Sequence, residues 1–302
     1  MVRKFLILLL SIVLGATCLF AVGCDNGEQP PPNQDTPSNE QNSPPPPEPV
    51  DEYVTLKVGT YNIFHCADVN NDNKVEPDKM AGILHRLGYD IVGLNEVYDS
   101  GKGDPLLTNQ AKRLTTFSGL TYYFFGLGSL LDGGYSIGNA VLSKYRLTNK
   151  ETVAVPIPEN KRPNENGYYE DRVIVKTTVN VTNELKIDYI SIHAGLNPLE
   201  QENMITALLE VIDKSANPII VCGDFNMSPE SPRFIPLRQR LISVADVMGK
   251  TNEYTISSTM PYATADYVFV SSEFEVVSYS VEQIIMSDHF PIVAEVKIKN
   301  NV

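Results

Sequence analysis

The chain has 302 residues, 42% of them hydrophobic, enough to bury one large core or two small ones. A formal net charge of -13 argues against the basic surface of a tight nucleic-acid binder. Of the four cysteines only Cys66 and Cys222 fall in the body of the chain, which excludes a disulfide-built scaffold and leaves open whether those two pair.

Arg3 and Lys4 precede an apolar run from Phe5 to Val22, so residues 1–23 have the pattern of an export signal. The run is also long enough for an uncleaved membrane anchor. The "AVGC" stretch, Ala21 to Cys24, resembles a bacterial lipoprotein processing site, with Ala21 where leucine is usual. That resemblance implies lipidation of Cys24, attachment to the membrane through the lipid, and a place on the extracytoplasmic face of a bacterial membrane. An incidental cysteine behind a plain signal peptide or anchor is the alternative. Residues 24–52 are rich in Pro, Asn and Gln and carry seven acids but no base, so they cannot form a core. Their proline runs favour an extended tether of roughly 3 Å per residue, with disorder lacking any spacing role as the alternative.

A single globular domain is expected over residues 53–302. Apolar or alternating runs predict strands over 54–63, 91–96, 122–125, 139–142, 173–181, 185–193, 219–222, 267–270 and 291–298. Helical patterns cover 77–87, 106–117 and 198–213. The last has Asn197 placed to cap it, Pro198 at its first position, and apolar residues at 204, 205, 208, 209 and 212 on one face. Strands mixed with helices, several of the strands apolar throughout, predict an α/β (α+β) domain with helices covering sheets.

Polar residues recur where those apolar runs end. In chain order they are Asn62 in "VGTYNIF", Asn95 and Glu96 in "DIVGLNEV", His193 in "DYISIHAGLN", Asp224 and Asn226 in "IIVCGDFN", Asp266 in "ADYVFVS", and Asp288 and His289 in "IIMSDHFPIV". Open α/β sheets place their sites at such strand ends. A carboxylate such as Glu96 is unfavourable to bury unpaired, and a metal ion would relieve it. Asp224 and Asn226 face one way if the strand continues; a turn leading into Ser228 and Pro229 is an equal reading. Carboxylates suit a hard divalent cation, and histidine exchanges protons near neutral pH. Other features carry no site role. "DVNNDNKVEPDK", Asp68 to Lys79, has Asn73 and Lys79 where a calcium loop needs Gly and Glu, so it reads as a polar loop. His65 and His85 are assigned nothing.

In this order, "TYNI", "LNEV", "GNAVLSKY", "SIHAGL", "GDFN", "DYVFVS" and "SDHFP" resemble the motifs of the endonuclease/exonuclease/phosphatase superfamily. Its members include deoxyribonuclease I-like nucleases, neutral sphingomyelinases, deadenylases and inositol polyphosphate 5-phosphatases. The resemblance runs from about Val54 to Val296. It implies a four-layer sandwich of two mixed β-sheets flanked by helices, and Mg2+-dependent hydrolysis of a phosphate-ester substrate, with Mn2+ as the substitute ion. It implies Glu96 as the main metal ligand with Asn62 and Asp288 beside it, Asp224 to activate water, and Asn226 to hold water and phosphate. It implies His289, backed by Asp266, and His193 facing the phosphate. Arg172 in "YEDRVIV" resembles a phosphate-contacting arginine, with a solvated strand-edge charge as the rival reading. Asn139 in "GNAVLS" is a candidate substrate contact, with a turn residue as its rival. The sequence departs from the family at Asn95, where Gln is usual, in "SIHAGL", where "THL" is frequent, and at Thr264, where Arg often stands. No stable nucleic-acid complex is expected, and the chain is expected to be a monomer. A surface nuclease of the same fold and a non-catalytic surface lipoprotein are the competing readings; the intact set of site residues argues against the second.

Overall fold

The computed structural model describes residues 52–101, 103–131, 134–158 and 170–300. The expected export signal, Cys24 and the tether up to residue 51 lie outside the described residues. The strands are β1 Tyr53–Asn62, β2 Ala67–Asp68, β3 Lys74–Val75, β4 Ile91–Gly101, β5 Tyr122–Leu131, β6 Tyr135–Ser143 and β7 Arg146–Ala154. They continue with β8 Val173–Asn180, β9 Lys186–His193, β10 Ile219–Asp224, β11 Ile242–Ser243, β12 Asp266–Val270, β13 Glu275–Val281 and β14 Ile292–Lys299. The helices are α1 Pro77–Leu87, α2 Gln110–Ser118, α3 Pro198–Asp213, α4 Ile235–Arg238 and α5 Val244–Val247.

Two six-stranded sheets run in the orders β13-β14-β1-β4-β6-β5 and β11-β12-β10-β9-β8-β7. Each is mixed because one parallel pair, β1 with β4 or β9 with β10, sits among antiparallel neighbours. A parallel pair needs a crossover, and α1 and α3 supply the two crossovers. Side-chain alternation then builds four layers. β10 sends Ile220 and Cys222 into the core between the sheets, and Ile219 and Val221 under α3. In the other sheet Val58, Ile91 and Val141 face that shared core, while Val92, Leu94 and Leu142 pack with Met80 and Leu84 of α1 and Leu114 of α2. Strands buried on both faces read as unbroken apolar runs, which is why the sequence marks them so clearly. The result is the expected sandwich of two mixed sheets flanked by helices.

The sheets come closest at Gly93, where a Cβ would lie 2.4 Å from Cys222 Sγ and 3.0 Å from Ser191 Oγ. Cys66 and Cys222 are both buried free thiols. The cap on α3 forms as the sequence predicts: the Asn197 side chain accepts from the Leu199 and Glu200 amides, and Glu200 accepts from the Asn197 amide. Five strands escape the sequence patterns: β2, β3 and β11, which are two residues long and too short to show a period, and β7 and β13. β7 and β13 are edge strands with a single buried residue each, so neither needs an apolar run. α2 begins at Gln110 rather than 106, because Asp104 accepts from the Leu106 amide and the Thr108 hydroxyl and holds that stretch as a turn.

Candidate active site

Strand pairing alone sets much of the site. In the second sheet Asp224 lies opposite His193 on β9 and opposite Asp266 on β12. In the first, Asn62 lies opposite Asn95 on β4. A bulge between Leu94 and Val97, with φ of 55° at Glu96, takes that carboxylate out of the strand's alternation and turns it towards Asn62. Asp288 and His289 arrive on the segment leading into β14. Ser287 ties that segment to β1, its Oγ donating to the Asn62 carbonyl at 2.6 Å.

Asn62 joins the two halves. Its Nδ2 donates to Glu96 Oε1 at 2.9 Å and to Asp224 Oδ2 at 3.2 Å, while its Oδ1 accepts from the Phe64 amide at 3.1 Å. Asn95 is a buried strut beneath. Its Nδ2 donates to Asn139 Oδ1 at 2.9 Å and to the Ile192 carbonyl at 2.8 Å, and its Oδ1 accepts from the Asp224 amide at 3.0 Å. Asn139 in turn donates to the Val173 carbonyl at 3.0 Å, so both ends of its amide are bonded within the protein. Asn226, at φ 50°, donates its backbone N–H to Asp224 Oδ1 at 2.9 Å and its Nδ2 to the Ala194 carbonyl at 3.0 Å. Asp224 Oδ2 stands at the centre, 3.5 Å from His193 Nε2 and 3.7 Å from His289 Nε2.

The histidines sit in opposite settings. His289 Nδ1 is 2.8 Å from Asp266 Oδ2. Burial opposes charge on His289, but Asp266, Asp224 and Asp288 outweigh it and hold the ring protonated well above the usual histidine range. His193 Nδ1 lies 3.1 Å from Arg172 Nη1, and Arg172 also pairs with Glu170 at 2.8 Å. A guanidinium only donates, so Nδ1 accepts, and the ring is neutral with its proton on Nε2, facing Asp224. Burial, then the Arg172 and His289 charges, keep His193 well below its ordinary value. Burial raises Glu96 to about 7, with Asp288 adding to it. Burial likewise raises Asp224 to about 6, restrained by the His289 charge.

Two groupings offer hard donors to a cation. Ligand atoms of Asp224, Asp266 and His289 lie within 4.8 Å of one another, but there the imidazolium of His289 already serves as the cation. Glu96 and Asp288 are compensated only in part, because Asp288 raises Glu96 more than the His289 charge lowers it. The second grouping therefore fits a divalent ion better. The calcium-like loop offers no rival: the Lys79 ammonium sits against Asp68 and also reaches Glu76. A separate groove of about 210 Å³ on the β7–α3 flank, with Glu151, Lys176 and Glu210 in its walls, shares none of the site residues.

Fold and site together define a hydrolase of ester bonds. Residues 59–289 match the model of the Endonuclease/Exonuclease/phosphatase family, and the chain belongs to that family. Solved structures share the fold. An endonuclease/exonuclease/phosphatase from Beutenbergia cavernae DSM 12333 is 23% identical, covering 82% of this chain and 72% of its own, with a TM-score of 0.67. A family protein from Leptotrichia buccalis C-1013-b is 23% identical over 81% of this chain and 99% of its own, with a TM-score of 0.61. A mannosyl-6-phosphatase from Bacteroides thetaiotaomicron VPI-5482 is 16% identical over 80% of this chain and 99% of its own, with a TM-score of 0.60. No curated protein matches the sequence.

Among the described residues the sequence-derived catalytic and metal positions lie at this one edge, with Asn139 and Arg172 behind His193 and Asp224, while Cys24 lies outside the described residues. Sequence reasoning missed the supports. Asn95 and Ser287 were visible only as polar residues next to better-known ones, and Thr255, whose Oγ1 accepts from the Asp266 amide at 3.2 Å, carried no signal.

Proposed function

We propose that the protein is a divalent-cation-dependent phosphoesterase, using Mg2+ with Mn2+ as a substitute, in which Asp224 activates the attacking water. The observation that carries this is the setting of Asp224 Oδ2, which Asn62, His193 and His289 surround with donors. Glu96 and Asp288 would hold the cation, whose charge offsets the negative charge that builds on the phosphate oxygens. With a pKa of about 6, Asp224 is largely ionised at neutral pH yet basic enough to accept a proton from water. Its Oδ1 is fixed by the Asn226 amide, which aims Oδ2. His289 offers a charged Nε2–H and His193 a neutral one, two donors for two phosphate oxygens. Arg172 serves by holding His193. The acidic balance of the chain favours small phosphate esters over a nuclease's polyanion. Residues 1–52 support export and a lipid anchor at Cys24, which would tether the domain to the extracytoplasmic face of a membrane.

The test is phosphate release or diester cleavage with Mg2+ across lipid head-group esters, nucleotides, inositol phosphates, sugar phosphates, DNA and RNA. Asp224→Asn and His289→Gln are expected to lower kcat at least about 100-fold with unchanged unfolding temperature, and a chelator to abolish turnover. Near wild-type turnover in either folded variant rejects the proposal.

A further inference from the structure

Along the carboxylate side of the site runs a row of four rings that the chemistry above does not use. After β1 ends at Asn62, Phe64, His65 and Cys66 have φ values of 44°, 44° and 64°, three successive left-handed residues of which none is glycine. Such a run is strained and persists only when its surroundings hold it. Here the Phe64 amide donates to Asn62 Oδ1 at 3.1 Å, the buried Gln110 donates to the His65 carbonyl at 2.7 Å, and the Glu76 amide donates to the Cys66 carbonyl at 2.8 Å. The turn sets two rings against β4. Phe64 and His65 centroids are 4.5 Å apart, His65 stacks on Tyr98 at 4.9 Å and 18°, and Tyr98 leans on Tyr135 of β6 at 5.8 Å.

Core packing does not account for this row. The aromatic cluster of Phe225, Phe234, Tyr267 and Phe269 beneath α3 is at most 3% exposed, whereas all four rings of the row are only half-buried. The row also adjoins the site. Asn62 bonds its first residue, the Asp288 charge reaches His65, and the Glu96 and Glu170 charges reach Tyr98. Burial lowers His65 to about 4 against the pull of Asp288, so at neutral pH the row is an uncharged surface in a rim of carboxylates.

We propose that this row is the subsite for the alcohol half of the ester, and that it selects an uncharged ring carried beside the phosphate, a nucleobase or a hexose, over an acyclic chain. The proposal rests on the phosphoesterase reading. Stacking on aromatic faces tolerates different rings and is expected to strengthen binding roughly tenfold. The experiment uses the full chain bearing Asp224→Asn, so that ligands survive, with Mg2+ present. Calorimetric titrations compare inorganic phosphate, glycerol 3-phosphate, glucose 6-phosphate and adenosine 5′-monophosphate. At least one ring ester should bind about tenfold more tightly than glycerol 3-phosphate, and the one that gains identifies the ring. Adding Tyr98→Leu or, independently, His65→Ala should bring that ratio close to one, and Tyr98→Phe should keep it. Equal Kd values for glycerol 3-phosphate and both ring esters, in a protein that binds them all, overturn the subsite and leave the phosphoesterase reading standing. A ratio that persists in both Tyr98→Leu and His65→Ala also overturns it. Failure to bind phosphate or any ester overturns both.

Discussion

At the scale of single residues, the site works by giving like groups unlike surroundings. His193 and His289 both point Nε2 at Asp224, yet one has a guanidinium behind it and the other a carboxylate. The identity of the residue behind each ring decides its charge, because a partner that only donates forces Nδ1 to accept. Removing that partner is therefore informative. In Arg172→Met the fixed tautomer of His193 is expected to be lost in 15N NMR spectra, and the acid limb of the pH–rate profile to move up, because the Arg172 charge no longer holds the ring neutral. A drop in kcat of about 10- to 100-fold should accompany this, partly restored in Arg172→Lys. An unchanged tautomer would remove the role given to Arg172. The sequence offered Arg172 only as a contact for phosphate or a solvated charge, since nothing local shows that it stands behind a histidine 21 residues on.

Secondary-structure elements act through their register. The two parallel pairs each bring two strand ends to the same edge, which is why polar residues at the ends of apolar runs converge. β4 is the element under most constraint. Its Gly93 lets the sheets close on Cys222 and Ser191, and two residues later Asn95 spans the same gap with two hydrogen bonds, to Ile192 and Asp224. Gly93→Ala is expected to lower stability by about 2–3 kcal/mol, read as a fall of several degrees in unfolding temperature, because the opposing sheet has no room for a methyl group. A variant as stable as the parent would show that the sheets part freely there. The central strands were legible because both faces are buried; β7 and β13 were not, because one edge and most side chains of each meet solvent. The bulge that turns Glu96 towards the site leaves no mark in composition at all.

At the scale of the whole fold, the carboxylates proposed to hold the cation also weigh on stability. Glu96 rises from 4.5 to about 7 on folding, so it is neutral in the folded state near pH 5 and ionised at a cost above pH 7. The folded state then binds more protons than the unfolded one between those values, and stability without metal falls as pH rises through that window. Glu96→Gln should accordingly stabilise the metal-free protein at pH 8, by on the order of 1–3 kcal/mol, and leave it nearly unchanged at pH 5. In the parent, Mg2+ should raise the unfolding temperature more at pH 8 than at pH 5, and Glu96→Gln should abolish the rise. A stability gain in Glu96→Gln that is the same at both pH values would contradict this.

The sequence alone marked the central strands and the polar residues at their ends, because two-sided burial and polar strand ends are written locally, in the period of side chains along each strand; the four layers and the roles of those residues came from the family resemblance. Only the tertiary structure decided who stands next to whom: Asn62 bonded to Asp224 across 162 residues, Cys66 and Cys222 left as thiols, Asn139 turned into a strut, and His65 drawn into a ring wall. Those outcomes depend on contacts between separate strands, and no repeat or spacing along one strand records which partner the fold will bring.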